Sequence, residues 1–239
     1  MKTFLSGVTR LGLHLSPEQL QQFETYYREL IDWNRRVNLT AITDYEDAQI
    51  KHFLDALTVV LVWQPTTGDT RPKVIDVGTG GGVPGVPLRI AFPGIRLSLL
   101  EATAKKAAFL RHLQDRLKLE DTEIITGRAE KVAHDTRYRE RFDLVLSRAV
   151  ALLPTLAELT LPFCAVGGSV VLHKKGDIEE EIAQASGAID TLGGKLREVK
   201  TVDLPEFPDQ RQLVVIDKVS ITPEKYPRRP GIPKKRPIR

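Results

Sequence analysis

The sequence predicts an α/β fold: a doubly wound, mostly parallel sheet preceded by a helical N-terminal part. Three observations carry this. Val74, Ile75 and Val77 form a short apolar run, the pattern of a strand buried on both faces, and a dense glycine turn follows it directly: Gly78, Gly80, Gly81, Gly82 and Gly85. From there strand-like and helix-like segments alternate along the chain, which implies parallel strands joined by helical crossovers. Before residue 65 the apolar spacing is helical.

The N-terminal part opens at Ser16-Pro17-Glu18-Gln19, with Ser16 as N-cap, Pro17 at the first helical position and Gln19 three residues after the cap. Leu20, Phe23, Tyr27, Leu30 and Ile31 follow at helical spacing, and the helix should end near Arg36. Val37 to Thr40 reads as an extended connector. Asp44 caps a second helix, with Ala48, Leu54, Leu57 and Leu61 expected to face inward. Residues 65–72 form a polar, turn-rich link. After the glycine turn, Arg96 to Leu100 is a strand ending at Glu101. Thr103 caps a helix whose stripe is Ala107, Leu110, Leu113 and Leu117. Thr122 to Thr126 is a third strand, and Phe142 to Leu146 a fourth. A helix through Leu156 and Leu159 leads to a fifth strand, Ser169 to His173. Asp177 caps a further helix. Lys195 to Val202 and Gln212 to Val219 pair as a closing antiparallel hairpin. The expected organisation is 1–64 helical, 65–222 sheet domain and 223–239 basic tail.

The glycine turn fits two patterns. Gly80-x-Gly82-x-x-Gly85 matches the dinucleotide fingerprint, and Asp76-x-Gly78-x-Gly80-x-Gly82 matches the signature of S-adenosylmethionine (AdoMet) enzymes. Asp76 favours the second, because a carboxylate repels a pyrophosphate whereas AdoMet offers an ammonium and a sulfonium. Pro84 and Pro87 suit a loop and a first helical turn better than a phosphate cradle. A late antiparallel strand is also the arrangement of a class I AdoMet-dependent methyltransferase, a Rossmann-like fold with a seven-stranded, mostly parallel sheet.

Ligands of open parallel sheets lie beyond the carboxyl ends of the strands. That rule selects Gly78 to Val83 after the first strand. After the second it selects Glu101, for ribose hydroxyls, with Ala102 and Thr103 beside the adenine. After the third it selects Ala129 and Glu130, for the adenine edge. After the fourth it selects Ser147 and Arg148, nearest the methionine end and the substrate. The alternatives are structural: Glu101 as a helix N-terminal carboxylate and Arg148 as a surface ion pair.

Composition bounds the rest. With 239 residues and 41% hydrophobic content the chain supports one sizeable core. It has no apolar run of about 18 residues, so no membrane span is expected. Met1 to Arg10 has no signal-peptide pattern. A single cysteine, Cys164, fits a reducing cytoplasm and cannot build a cysteine-based metal site. The five histidines show no ligand spacing, and no metal is expected. Net charge is +4, unevenly placed: residues 223–239 carry seven basic side chains against one acidic, and the other 222 residues 28 against 30. The tail reads either as a phosphate-seeking arm or as a solvated terminus.

Missing motifs narrow the chemistry. No Asn/Asp-Pro-Pro-Tyr/Phe follows the fourth strand, as amino-methylating nucleic-acid enzymes require. Cys164 follows Phe163 in an apolar run, not a Pro-Cys loop, and reads as core. A substrate atom with a free lone pair needs neither device, and guanine N7 is one, unprotonated at neutral pH.

These residues together resemble the ribosomal RNA small subunit methyltransferase G family, also called glucose-inhibited division protein B. The matching stretches are Trp33-Asn34-x-x-Val37-Asn38-Leu39-Thr40-Ala41-Ile42, Lys51-His52-Phe53-Leu54-Asp55, Asp76 to Leu88, Arg128-Ala129-Glu130, Ser147-Arg148-Ala149 and Tyr226-Pro227-Arg228-Arg229-Pro230-Gly231-Ile232-Pro233. They span nearly the whole chain. The resemblance implies methylation of N7 of one guanine in small-subunit (16S) ribosomal RNA, with Gly78, Val83, Glu101 to Thr103, Ala129, Glu130 and Arg148 holding AdoMet. Asp76, Gly80 and Gly82 complete the expected cofactor set, and Arg148 is expected to position the substrate without a general base. Arg35, Arg36, Asn38, Lys51, His52, Lys174, Lys175, Arg228, Arg229, Lys234, Lys235 and Arg236 are the expected RNA contacts. A cytoplasmic monomer acting on ribosomal RNA or an assembling small subunit is expected. The competing readings are an NAD-dependent oxidoreductase and a non-catalytic RNA-binding module.

Overall fold

The computed structural model describes residues 1–65 and 71–238. Most of the 65–72 link therefore lies outside the described residues. Among the described residues seven strands form one sheet in the order β3-β2-β1-β4-β5-β7-β6. They are β1 (Lys73–Val77), β2 (Arg96–Glu101), β3 (Thr122–Thr126), β4 (Phe142–Arg148), β5 (Cys164–Lys175), β6 (Gly194–Val202) and β7 (Arg211–Lys218). Strands β1 to β5 are parallel, and β7 inserts antiparallel between β5 and β6. The order reverses at β1, so the glycine turn opens at the switch point where such sheets bind ligands.

The helices are α1 (Lys2–Arg10), α2 (Pro17–Val37), α3 (Tyr45–Ala48), α4 (Asp55–Leu57), α5 (Gly85–Ala91), α6 (Ala104–Leu117), α7 (Ala129–Val132), α8 (Leu153–Thr160), α9 (Glu179–Thr191) and α10 (Ile232–Lys235). Helix α2 starts as its sequence dictates: Ser16 accepts from the Gln19 N–H, and the Gln19 side chain accepts from the Ser16 N–H. Such a cap is worth about 1 kcal/mol. The helix ends at Asn38, in the left-handed conformation with φ 48°. Helix α1, which the sequence reading did not separate, buries Phe4 against Phe23 at 5.1 Å between ring centres.

Three expectations are corrected. The second predicted helix is not one helix: Asp44 does cap α3, but residues Gln49–Leu54 are π-helical, α4 follows, and Thr58–Leu61 is a 3-10 turn. Leu61 is accordingly exposed, and His52 and Asp55 are buried in its place. Thr103 occupies the N-cap of α6, but its side chain makes no capping bond. Asp177 lies one residue before the N-cap of α9, where it accepts from the Glu179 N–H.

Two apolar cores flank the sheet. Val74, Leu144, Leu146, Val171, Leu213 and Val215 face the N-terminal helices with α5 and α6, whereas Ile75, Val77, Val145, Val170, Leu172, Val214 and Ile216 face α8 and α9. Side chains of a strand alternate between faces. The same alternation puts Asp76, Arg148, His173 and Arg211 on the N-terminal-helix side. Cys164 is fully buried, and burial pushes its thiol up to about 12, as a core residue requires.

Candidate active site

The glycine turn is held from three sides. Asp76 projects from β1 toward α5, and its Oδ2 accepts from the Thr79 hydroxyl at 2.6 Å and the Gly85 N–H at 2.8 Å. Tyr26, from α2, donates to the Gly81 carbonyl at 2.6 Å. Glu101, at the end of β2, accepts from the Gly80 N–H at 3.1 Å and the Thr103 N–H at 2.7 Å.

The glycines divide by what surrounds them. Gly78, Gly80 and Gly82 all have positive φ, the conformation that favours glycine. A Cβ on Gly82 would meet the Tyr26 hydroxyl at 2.9 Å, and one on Gly85 would meet Leu99 at 2.7 Å. A Cβ on Gly80 would meet nothing within 4 Å. Gly82 and Gly85 are thus required by packing, while Gly80 leaves open space beside the Glu101 carboxylate. Beside the turn is a cavity of ≈ 200 Å³ whose lining includes Gly78, Gly80, Val83, Thr40, His52, Lys106 and Arg148.

Asp76 is fully buried and braces the turn through Oδ2, while its Oδ1 has no partner among the described residues. Burial raises its pKa to about 6, against the bonds from Thr79 and Gly85, which lower it. The Glu130 carboxylate takes Arg128 at 2.9 Å and the Gly231 N–H at 3.1 Å, which leaves the backbone of the Ala129–Glu130 turn without a side-chain partner from this acid. Ala102 and Thr103 are exposed next to Glu101.

A second cavity of ≈ 390 Å³ adjoins the first, sharing His52, Arg148 and Ala149. Its wall includes Lys51, Asp55, His173, Lys174, Lys175 and Arg211. Arg148 is the hub. It donates to the Asp55 carboxylate at 2.8 Å, to the Lys51 carbonyl at 2.7 Å and to Nδ1 of His52 at 2.9 Å. A guanidinium only donates, so His52 Nδ1 is the acceptor and its Nε2–H donates to the Thr40 hydroxyl at 2.8 Å. Burial and then Arg148 hold the His52 pKa down at about 4, so the ring is neutral. Thr40 is presented by Asn34, whose Oδ1 accepts from the Leu39 and Thr40 N–H groups. The Trp33 to Ile42 motif thus carries a hydrogen-bonded turn ending at the cavity wall.

Asp55 also pairs with Arg211 at 3.1 Å. Burial alone would raise the Asp55 pKa, but His173, Arg148 and Arg211 outweigh it and hold the carboxyl below its ordinary range. Nε2 of His173 donates to the Asp55 carbonyl at 3.1 Å. Among the described residues, Nδ1 of His173 and one terminal nitrogen of Arg211 have no partner. Asp55, His173, Arg211, Tyr26 and Lys106 were not among the expected site residues. Strand alternation would have found His173 and Arg211, which share a sheet face with Arg148.

The expected RNA contacts separate into groups. Lys51, Lys174 and Lys175 reach the second cavity, paired with Asp47, Glu181 and Asp209 respectively. Arg35, Arg36 and Asn38 are exposed at the end of α2, where Arg36 pairs with Asp32 and lies over the Trp33 ring. His52 is buried and neutral, and lines both cavities. Arg228 is likewise not a free cation, since it pairs with the fully buried Glu158. Arg229, Lys234, Lys235 and Arg236 are exposed but line neither cavity. No metal-binding cluster and no helix long and apolar enough to cross a membrane occurs among the described residues.

Comparison with known proteins agrees with this architecture. A family model described as rRNA small subunit methyltransferase G matches residues 19–214. The ribosomal RNA small subunit methyltransferase G of Dehalococcoides mccartyi (strain CBDB1) is 54% identical over 238 residues, covering 100% of both chains. That of Roseiflexus sp. (strain RS-1) is 47% identical over 238 residues with the same coverage. Among solved structures, an O-methyltransferase from Bacillus cereus in complex with SAH superposes with a TM-score of 0.55 at 21% identity, covering 81% of this chain and 91% of that one. The precorrin-6y C5,15-methyltransferase of Geobacter metallireducens GS-15 gives 0.52 at 15%, covering 69% and 87%. At these identities the structural likeness shows the shared fold. The full-length sequence matches decide the family: the chain belongs to the rRNA small subunit methyltransferase G family.

Proposed function

We propose that this chain transfers a methyl group from AdoMet to N7 of a guanine in small-subunit ribosomal RNA. The observation that carries the reading is the junction of the two cavities at Arg148, with a glycine turn on one side and a cationic pocket on the other. The open space at Gly80 and the Glu101 carboxylate fit AdoMet: a carboxylate has about four acceptor sites, and Glu101 uses two on backbone N–H groups, leaving room for a ribose diol. Two carboxylates close to the turn, Asp76 and Glu101, disfavour a pyrophosphate there, which weighs against a nicotinamide dinucleotide.

When bound, AdoMet supplies a methyl group on a sulfonium. The sulfonium would be the leaving group, its S–C bond giving way to a C–N bond made by the N7 lone pair, with the positive charge passing to the base. No proton leaves N7, so no base is required. The chain's task is orientation and exclusion of water. Arg148, fixed by Asp55 and His52, sets the wall between methyl donor and acceptor. The unpartnered His173 and Arg211 atoms mark the second cavity as one suited to a polar occupant. Lys51, Lys174 and Lys175 offer cations to phosphates at the same edge. A ribosomal RNA substrate supports a cytoplasmic location.

Calorimetry with AdoMet and with NADH tests the cofactor, and labelled methyl transfer to small-subunit RNA tests the reaction. Binding of AdoMet alone, with transfer lost in Arg148→Ala, is expected. Binding of NADH in its place contradicts the proposal, and AdoMet binding without transfer to any RNA favours a non-catalytic module.

A further inference from the structure

The C-terminal segment is built into the interior. The Arg228 side chain donates to Glu158 through Nε and a terminal nitrogen at 2.6–3.1 Å, and the Arg228 backbone N–H donates to the same carboxylate at 2.7 Å. Glu158 is fully buried, and Tyr226 and Pro233 are buried with it. Arg139 donates to the carbonyls of Thr222 and Tyr226 at 2.8 and 2.9 Å. Thr155, on α8, donates to the Pro233 carbonyl at 3.2 Å.

Between these anchors the segment touches α7. Gly231, at φ 85°, turns its N–H onto Glu130 Oε1 at 3.1 Å. Glu130 stands in the first turn of α7, immediately after β3 and at the ligand edge of the sheet. Its carboxylate is only 4% exposed, and Arg128 donates to the same Oε1 at 2.9 Å.

We propose that residues 226–231 are a positioning element of the cofactor site: through Gly231 and Glu130 they fix the Ala129–Glu130 turn on which the adenine of AdoMet rests. This rests on the reading of that turn as the adenine side of the pocket. Glu130 acts as a strut here, and Arg228 acts through it by anchoring the segment to Glu158. The sequence reading, in which the tail affects RNA alone, is replaced by one in which its two arginines differ. Arg228 serves the cofactor, and Arg229 faces solvent.

Hydrogen exchange on the unmodified chain, with and without AdoMet, tests this directly. Slowed exchange is expected both at residues 78–83 and at Gly231. Slowing at 78–83 with none at Gly231 overturns the inference alone. No slowing at either overturns the cofactor reading, and this inference with it. Calorimetry gives the second readout, because stoichiometry reports the folded fraction separately from affinity. Arg228→Ala should weaken AdoMet binding by about tenfold, the size of one charge-assisted contact. Arg229→Ala should leave affinity unchanged. If the unpaired Glu158 prevents Arg228→Ala from folding, the double variant Glu158→Gln with Arg228→Gln takes its place with the same expected loss. Unchanged affinity in the folded fraction of either variant overturns the proposal.

Discussion

Asp55 and Arg148, 93 residues apart in the chain, meet at 2.8 Å, with their side chains 4% and 16% exposed. Asp55 comes from the helical N-terminal part and Arg148 from the end of β4, so this pair joins those helices to the catalytic edge of the sheet. Arg211 takes the other carboxylate oxygen at 3.1 Å, which makes Asp55 the anion between two arginines. Removing it leaves Arg148 without a carboxylate partner and Arg211 with Asp209 alone. Asp55→Ala should cost about 3–5 kcal/mol, the range for breaking a buried pair. Denaturant unfolding checks this, and a loss below about 1 kcal/mol would show the arginines finding water or another partner.

The same cluster sets a pH dependence. Burial, followed by Arg148, holds His52 at about 4, and burial likewise holds His173 at about 4, although Asp55 opposes it. Their ordinary value is 6.5, so between 6.5 and 4 the unfolded chain binds more protons than the folded one. Stability from these two groups is complete above 6.5 and is lost as pH falls toward 4. Asp76 acts oppositely: burial raises it from 3.8 to about 6, so its contribution is present at low pH and lost as pH rises through 6. Two histidines against one aspartate give a net fall in melting temperature from pH 6 to pH 4. His52→Gln combined with His173→Gln should flatten that fall, and an unchanged slope would mean the histidines are not its source.

The glycine turn separates ligand effects from packing effects. Gly82→Ala places a Cβ 2.9 Å from the Tyr26 hydroxyl at φ 96°, so it should lower the melting temperature. The Cβ of Gly80→Val meets nothing within 4 Å, and beyond the backbone strain of its positive φ its effect should fall on AdoMet affinity. Glu101→Ala should weaken AdoMet by about 1–3 kcal/mol, losing ribose contacts and the brace on the Gly80 N–H together. Calorimetry beside thermal melting resolves these variants. Equal effects of Gly80→Val and Gly82→Ala on both readouts would remove the distinction.

Much of this site was legible before the structure. The central strands follow from short apolar runs buried on both faces, and the glycine turn from the positive φ that glycine permits, both written in residue types. Asp76 was visible from its spacing to Gly78, but only the fold shows one oxygen of its carboxylate turned onto Thr79 and Gly85. The π-helical stretch hid Asp55, because a helical period over residues 45–61 places buried positions wrongly and sends Leu61 inward. The tail misled for another reason. Composition counts Arg228 with its neighbours, and nothing local announces a buried Glu158 lying 70 residues earlier.

With Arg228 paired to Glu158, four exposed cations of the tail are left to test for RNA binding. Neutralising Arg229, Lys234, Lys235 and Arg236 should raise the RNA Michaelis constant. It should also flatten the salt dependence by about 0.7 per lost contact. AdoMet affinity should be unaffected. Methylation measured against salt decides this, and an unchanged slope would make these four cations a solvated surface.

Incubation with labelled AdoMet and undermethylated small-subunit RNA, followed by nucleoside analysis of the product, tests the central claim most directly. The account predicts label in 7-methylguanosine at one position, with Arg148→Ala reducing its rate far more than its AdoMet affinity. Label in any other nucleoside, or none in RNA despite AdoMet binding, would contradict it.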